Sequence, residues 1–269
     1  MFETSANREL GLLRTLIIGA FIILAPVALI TSTIRFAVSE QAVYDYSVRN
    51  HGAERASGIS EDELIAANRE IRDYLVTEDP GPLAPTVTNI FGEEEALFTA
   101  EETIHMTDVR NLVRAMFTVQ ILAVASVLTL VVVMIMLWPV RVLAAAMLYG
   151  ATLTVGFLVS VGFLATVGFD AAWSQFHGIA FTNDFWQLDP DTDHLIQMYP
   201  EAFWQEVTLA IGLLLTLQAA VMAAVSALYL YLTRDHSGVI EARPRSPLDA
   251  PGGPRRPRLA PPNPRHYVQ

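Results

Sequence analysis

Four long apolar runs divide the chain, and polar segments of very different length separate them. The runs cover residues 15–34, 115–138, 142–168 and 207–232. None contains Asp, Glu, Arg, Lys or His, and each reaches the roughly 20 helical residues that cross a ~30 Å hydrocarbon layer. The pattern predicts an all-α polytopic membrane protein with four transmembrane helices, assigned to residues 15–34, 113–138, 142–168 and 207–232.

The first long polar segment, residues 35–112, predicts a small α+β domain. In "SGISEDELIAANREIRDYLV", Ser60 stands three residues before Glu63 as a capping box. Apolar positions then recur at helical spacing: Leu64, Ala67, Ile71 and Leu75. Further along, "PTVTNIFG" and "EEEALFT" read as two short strands around a turn near Gly92.

A second helix begins in "LFTAEETIHMTDVRNLV" and continues into the second apolar run. Thr99 and Glu102 form another capping box. One apolar stripe of this helix consists of Ile104, Val109, Leu112 and Met116. His105 and Asp108 are three residues apart, so they share one helix face at the membrane boundary.

The second polar segment, residues 169–206, begins with aromatic residues that favour the headgroup zone, namely Phe169, Trp173 and Phe176. His177 follows directly, so both histidines are predicted at the same membrane boundary. Several nearby side chains are candidates to orient or bond an imidazole: Asp108, Asn183, Asp184, Trp186 and Glu201. The remaining histidines in polar, exposed stretches carry no site signal: His51, His236 and His266.

Arginine sets the predicted orientation, because the chain has seventeen arginines and no lysine. Ten of them flank the runs on one face, which is therefore predicted to be cytoplasmic. That face holds residues 1–14 and a disordered Arg/Pro-rich tail at 233–269. The opposite, extracytoplasmic face holds residues 35–112 and 169–206, with sixteen and seven acidic residues. The net charge of -11 reflects this outer surface and indicates no nucleic-acid partner.

Composition narrows the chemistry further. The chain is 52% hydrophobic and contains no cysteine, which excludes disulfides, thiolate metal sites and cysteine nucleophiles. The apolar runs carry no ionisable group, which disfavours an ion or proton pathway. The first run exceeds a usual signal-peptide core, so it is predicted to stay as a membrane anchor.

A histidine near a carboxylate is the usual arrangement of a general base, which favours an enzyme site at the outer boundary. Two alternatives stay open at this point. In the first, the histidines are structural and the chain is a non-enzymatic cell-envelope sensor or scaffold. In the second, histidine and carboxylate side chains bind a metal ion.

The segments "LFTAEETIHMTDVRNL" and "FHGIAFTNDFWQLDPDTDHLIQMYPEAFW" resemble the bacterial lipoprotein intramolecular transacylase family and its uncharacterised integral-membrane relatives. The upstream "GISEDELIAANREIRDYL" fits the same pattern, so the resemblance covers roughly residues 44–232. It implies transfer of an acyl chain from the diacylglyceryl group of a lipoprotein to the α-amino group of its N-terminal cysteine, which leaves a lyso-form. The two histidines essential in that family fall on His105 and His177.

The resemblance also implies partners and a location. The substrates would be diacylated bacterial lipoproteins, met among membrane lipids at the extracytoplasmic face of the plasma membrane. One histidine would act as the base and the other as acid or oxyanion partner, with Asp108 orienting His105; which histidine has which role stays open. No metal or other cofactor is required, because exchange of an ester for an amide is downhill.

Overall fold

The computed structural model describes residues 2–89 and 91–234, with the backbone alone for residues 2–8 and 164–167. The tail predicted to be disordered lies, from residue 235 onward, outside the described residues. The described elements in chain order are α1 Phe2–Ser39, α2 Gln41–Asn50, α3 Ala53–Ser57, α4 Glu61–Val76, β1 Thr86–Thr88, β2 Glu94–Ala96, α5 Ala100–Leu137, α6 Val140–Val167, α7 Phe169–Ala180, α8 His194–Met198 and α9 Glu201–Leu232.

Four of these helices are long and apolar enough to cross a membrane: α1, α5, α6 and α9. Each contains one of the charge-free runs, so the chain is a multi-pass, mostly helical membrane protein. At 1.5 Å per residue the 38-residue α5 is about 57 Å long, nearly twice the ~30 Å hydrocarbon layer. The charge-free part of α5 starts at Ala115, so the first fifteen residues of α5 extend beyond the hydrocarbon.

The membrane helices pack through small and medium-sized side chains. A buried cluster joins α1, α5 and α6 through Phe21, Ala25, Met134, Leu143 and Ala146. On α6, a Cβ added at Gly150 would lie 3.7 Å from the Ala25 Cβ of α1, which shows how closely these backbones approach. A short turn at Trp138–Pro139 joins α5 to α6, yet both pack more extensively on α1 than on each other.

The segment between α1 and α5 follows the predicted elements. Ser60 caps α4 by accepting a hydrogen bond from the Glu63 backbone N–H. The four predicted apolar positions of α4 are all buried. The predicted hairpin is present as β1 paired antiparallel with β2, with Val87 opposite Glu95, and Gly92 in its turn has φ +78°. Because the sheet has only these two short strands, the segment is mainly helical.

This segment does not have a core of its own. Its buried apolar cluster includes residues of the second polar segment and the following helix: Leu195, Met198, Tyr199 and Phe203. Polar contacts join the same parts, since Ser47 donates to the Met198 carbonyl and Tyr199 donates to the Asn68 side-chain oxygen. The two polar segments therefore fold as one unit, which we call the head.

The apolar stripe at the start of α5 is buried only in part, at Val109 and Met116. Ile104 and Leu112 are exposed, whereas the buried positions are Glu102, His105 and Met106. The amphipathic rule assumes water on the outer face of a helix, whereas Leu112 lies only three residues before the charge-free run. Apolar side chains can then face outward, which leaves the inner face to polar groups.

Candidate active site

Two helices bring the histidines together. His105 lies in the second turn of α5, and His177 lies near the end of the twelve-residue α7. Their ring centroids are 6.1 Å apart, with 33° between the ring planes, and each residue is only 6% exposed. The structure thus brings together two imidazoles that are 72 positions apart in sequence, as the predicted common boundary required.

Aromatic rings surround His177. Phe181 contacts both imidazoles, with centroid distances of 5.0 Å to His105 and 5.5 Å to His177. Three further rings lie close to His177: Trp173 at 4.5 Å, Trp186 at 5.0 Å and Phe176 at 5.2 Å. These neighbours exclude water, so the surroundings of His177 disfavour a charged imidazolium.

One hydrogen bond assigns the tautomer of His177. Its Nδ1 lies 2.8 Å from the backbone carbonyl oxygen of Trp173, four residues earlier in α7. A carbonyl only accepts, so Nδ1 carries the proton and the Nε2 of the neutral ring keeps a free lone pair. Burial lowers the pKa of His177, and the bond to the Trp173 carbonyl opposes that shift. His177 is therefore a neutral base at physiological pH.

The His105 ring differs in its hydrogen bonding. Its Nδ1 is buried and has no hydrogen-bond partner in the described part of the chain. Burial lowers the pKa of His105 to about 4; the nearby His177 ring adds to the lowering, and the Asp108 carboxylate opposes it. His105 lies outside the charge-free run, ten residues before Ala115. The His105 ring is therefore neutral at pH 7, and its Nδ1 can still form a hydrogen bond.

The structure places Asp108 differently from the orienting role expected. Its Oδ2 accepts a hydrogen bond of 2.8 Å from the side-chain amide of Asn183, and the Asn183 oxygen accepts from the Phe185 backbone N–H. Asp108 therefore joins α5 to the polypeptide that follows α7. Its influence on His105 is electrostatic, whereas its direct partner is Asn183.

The other predicted supporting residues divide into two groups. Trp186 lies over the His177 ring with 30° between the planes, so it belongs to the site. Asp184 is exposed and accepts from the Gln187 side chain. Glu201 is exposed and lies close to the Asp170 carboxylate of α7. In the described part of the chain, neither carboxylate is hydrogen-bonded to an imidazole.

Sequence reasoning identified Glu102 as a helix cap but missed its second role. The side chain is fully buried. One oxygen accepts from the Thr99 backbone N–H at 2.7 Å, which completes the capping box, and the other accepts from the Leu195 backbone N–H at 2.7 Å. Glu102 therefore fixes the start of α8 to α5 one turn from His105. A capping box accounts for only one carboxylate oxygen, so no local pattern predicts the second bond.

A cleft opens beside the histidines. It has a volume of about 200 Å³ and is lined by Asp108, Asn111, Leu112, Ala180, Phe181 and Thr182. Phe181 lines the cleft and also contacts both imidazole rings. Three polar side chains and three apolar ones line it, at the level where α5 enters the charge-free run.

A second titratable cluster lies elsewhere in the head. Contrary to the expectation of an exposed ring, the His51 side chain is only 11% exposed and lies 3.2 Å from a Glu206 oxygen. Tyr46 donates to the same carboxylate at 2.8 Å. His236 and His266 lie outside the described residues. Within residues 2–89 and 91–234, no group of three or more His, Asp or Glu side chains is arranged to hold a metal ion.

Solved structures provide the first comparison. The chain is similar to the membrane-integral lipoprotein intramolecular transacylase Lit from Bacillus cereus, with a TM-score of 0.70 and 19% identity over 82% of this chain and 97% of that one. A variant of the Bacillus cereus protein with one histidine replaced by arginine gives a TM-score of 0.69 at 18% identity, over 86% and 97% of the two chains. At these identities the likeness establishes the fold. A search of curated protein sequences found no match.

A family model provides the second comparison. The model described as "Lipoprotein intramolecular transacylase Lit" matches residues 19–204. That range includes α5 and α6 in full, most of α1, nearly all of the head, and both histidines of the site. Because the match covers more than half of the sequence, the chain belongs to the lipoprotein intramolecular transacylase Lit family.

Proposed function

We propose that this protein moves an acyl chain from the diacylglyceryl ester of a lipoprotein to the α-amino group of that lipoprotein's N-terminal cysteine. The observation that carries the proposal is the buried pair of neutral imidazoles, His105 and His177, beside a cleft at the membrane boundary. Family membership supports the reaction class. The reaction is an isomerisation: an N–C amide bond forms, a C–O ester bond breaks, and the glyceryl oxygen receives the proton lost by the amine.

His177 is the general base in this proposal. Its Nδ1 proton is engaged by the Trp173 carbonyl, so Nε2 is the lone pair that can accept a proton from the attacking nitrogen. The aromatic surroundings keep the ring neutral and therefore able to accept. After the ester carbonyl has been attacked, the same ring can return the proton to the leaving glyceryl oxygen.

His105 stabilises the oxygen that becomes negatively charged. A buried nitrogen without a partner costs about 1–3 kcal/mol, so a substrate group that supplies the partner recovers stability on binding. With 6.1 Å between ring centroids, the two imidazoles are close enough for one substrate molecule to reach both. An imidazole N–H directed at the carbonyl oxygen is strengthened as charge develops there.

The remaining catalytic advantage comes from geometry. Nucleophile and ester belong to one substrate molecule, and well-oriented intramolecular reactions reach effective molarities of about 10⁵ M or more. The protein then has to hold a reactive conformation, exclude water and move one proton. Ester-to-amide exchange is downhill, so no nucleotide has to drive it, and in this proposal the imidazoles move the proton without a metal ion.

We place the site at the extracytoplasmic face of the bacterial plasma membrane. The two polar segments carry most of the acidic residues, whereas ten arginines flank the other ends of the apolar runs. A lipoprotein anchored in the outer leaflet would present its ester and amine at this boundary. Membrane lipid would surround the acyl chains on the exposed apolar surface near Phe176 and Ile179.

The proposal is tested in cells. Lipoproteins would be purified from strains with and without this protein, and their N-terminal peptides analysed by tandem mass spectrometry, which separates the isomers. N-acyl lyso peptides should occur only when the protein is expressed. Unchanged N-termini, with a normal amount of the protein in the membrane, would favour the non-enzymatic sensor or scaffold instead.

A further inference from the structure

Resting on the proposed function, we propose that the 200 Å³ cleft binds the substrate's α-ammonium group, with Asp108 as its counter-ion. The cleft would take the amino end of the lipopeptide while the acyl chains remain in lipid. In this proposal Asp108 contacts the substrate and determines specificity. Orienting His105 is then not its principal role.

The hydrogen bonding of Asp108 supports this assignment. Its Oδ2 accepts from Asn183, which fixes the carboxylate at the cleft wall. Within the described part of the chain, Asp108 has no ion pair with an arginine. The two arginines nearest in sequence point elsewhere: Arg110 donates to backbone carbonyls of Tyr74, Thr77 and Glu78, and Arg114 contacts Glu78. A partly buried carboxylate without a cationic partner is suited to bind an ammonium ion.

The lining of the cleft suits the same ligand. Asp108 is the only charged residue among the six that line it, and Asn111 and Thr182 are the other polar ones. Each can hydrogen-bond a peptide N–H or carbonyl group. The cleft has room for several water molecules, which suits the polar amino end of a peptide.

The position relative to the histidines links recognition to chemistry. Phe181 lines the cleft and lies 5.0 Å from the His105 ring. Asp108 lies one helical turn after His105 in α5 and acts on its ring electrostatically, so an ammonium held by Asp108 lies near the imidazoles. Asp108 selects an amine-bearing substrate; the bound ammonium loses one proton to water, and His177 takes the second as the amine attacks the ester and returns it to the leaving glyceryl oxygen.

Binding of unreactive analogues tests the proposal separately from catalysis. Two lipopeptides would carry ether links in place of both esters, so that no acyl group can move; one keeps the α-amine and the other has hydrogen there. At pH 7 the wild-type protein in detergent should bind the amine form roughly 10-fold more tightly, as expected for a hydrogen bond to a charged group. In Asp108→Asn the two analogues should bind equally well.

Asp191→Asn is the matched control, because Asp191 is exposed in the second polar segment and does not line the cleft. It should keep the wild-type preference for the amine. Equal binding of both analogues to wild type would overturn the proposal, as would an Asp108→Asn variant that weakens both equally. Neither result bears on acyl transfer, which is measured separately with the ester lipopeptide. If the wild-type protein did not transfer the acyl group of that ester substrate, the proposed function would be refuted.

Discussion

Glu102 accepts a hydrogen bond of 2.7 Å from the backbone N–H of Leu195, 93 residues later in the chain. Its other oxygen binds the Thr99 backbone N–H, so both carboxylate oxygens are used and the side chain is inaccessible to solvent. This single group caps α5 and attaches α8 to it. The segment that carries Asn183 and Trp186 is anchored between this attachment and α7.

Replacing Glu102 should therefore destabilise the head. In Glu102→Gln the amide oxygen still accepts one hydrogen bond, but the NH₂ group cannot accept the second. One buried N–H is then unsatisfied, at a cost of about 1–3 kcal/mol. Thermal unfolding in detergent should shift down by about 2–4 °C for each kcal/mol lost. Glu102→Ala should shift it further, because both bonds are lost.

Glu101→Gln is the matched control, since Glu101 is the exposed neighbour in the same helical turn. It should unfold at nearly the wild-type temperature. If Glu102→Gln were as stable as Glu101→Gln, the bond to Leu195 would have no energetic importance.

Activity should depend on pH mainly through the substrate amine. An α-amino group has a pKa of about 7.7–8.0, so kcat/KM should fall by one log unit per pH unit below that range. Burial lowers the pKa of His105 to about 4 and also lowers that of His177. Because histidine is ordinarily half protonated near pH 6.5, any second break should lie below pH 6.5. A second break at or above pH 6.5 in a full kcat/KM profile contradicts this picture.

The lowered pKa values of His105 and His177 also predict that folding stability falls as the pH is lowered. The unfolded chain binds protons at histidine below about pH 6.5, while the folded chain does so only at lower pH. The neutral rings therefore stabilise the fold fully above pH 6.5, and this contribution is lost as the pH falls through the folded-state pKa values. Substituting both histidines with Gln should make the unfolding temperature depend less on pH between pH 6.5 and pH 4. If the unfolding temperatures of wild type and variant fell equally with pH, the burial of the two rings would be contradicted.

The proposed orientation is open to chemical labelling, because the chain has no cysteine. Single cysteines at Asp62 and Asp191, both exposed, should react in intact cells with a maleimide that cannot cross the membrane. A cysteine at Ser237, in the tail predicted to be cytoplasmic, should react only after the cells are opened. If either of these two head cysteines did not react in intact cells, the candidate site would not lie on the extracytoplasmic face of the membrane.

Much of the fold follows from local patterns. Charge-free runs of 20 or more residues identify the membrane helices, because a charged group in hydrocarbon is too costly to occur without a role. Ser60 and Thr99 predict two helix starts, since each side chain satisfies a backbone N–H that otherwise has no partner. Gly92 predicts the hairpin turn, where φ is positive.

The parts that sequence reasoning missed depend on contacts between distant segments. The Glu102 bond to Leu195, the Asp108 bond to Asn183 and the burial of His51 against Glu206 all join groups that are far apart in the chain. The exposure of Ile104 and Leu112 could not be predicted for another reason. A sequence pattern does not reveal where water ends and lipid begins along one continuous helix.

Substitution of the two histidines examines the proposed chemistry. His105→Ala and His177→Ala should each lower acyl transfer by roughly 10² to 10⁴-fold, the usual contribution of a positioned acid or base. The double variant should be little worse than the poorer single variant, because groups that act as one unit fail together. Membrane levels and unfolding temperatures, measured in parallel, separate loss of chemistry from loss of fold.

The most direct measurement follows a diacylated lipopeptide incubated with purified protein in detergent, with a metal chelator and no nucleotide. Because the product is an isomer of the substrate, tandem mass spectrometry of the N-terminal cysteine reports the transfer. Wild-type protein should produce the N-acyl lyso peptide, and a substrate whose α-amine is already acylated should remain intact. Full activity in either histidine variant, or hydrolysis of the ester in the blocked substrate, would contradict an imidazole-catalysed transacylase.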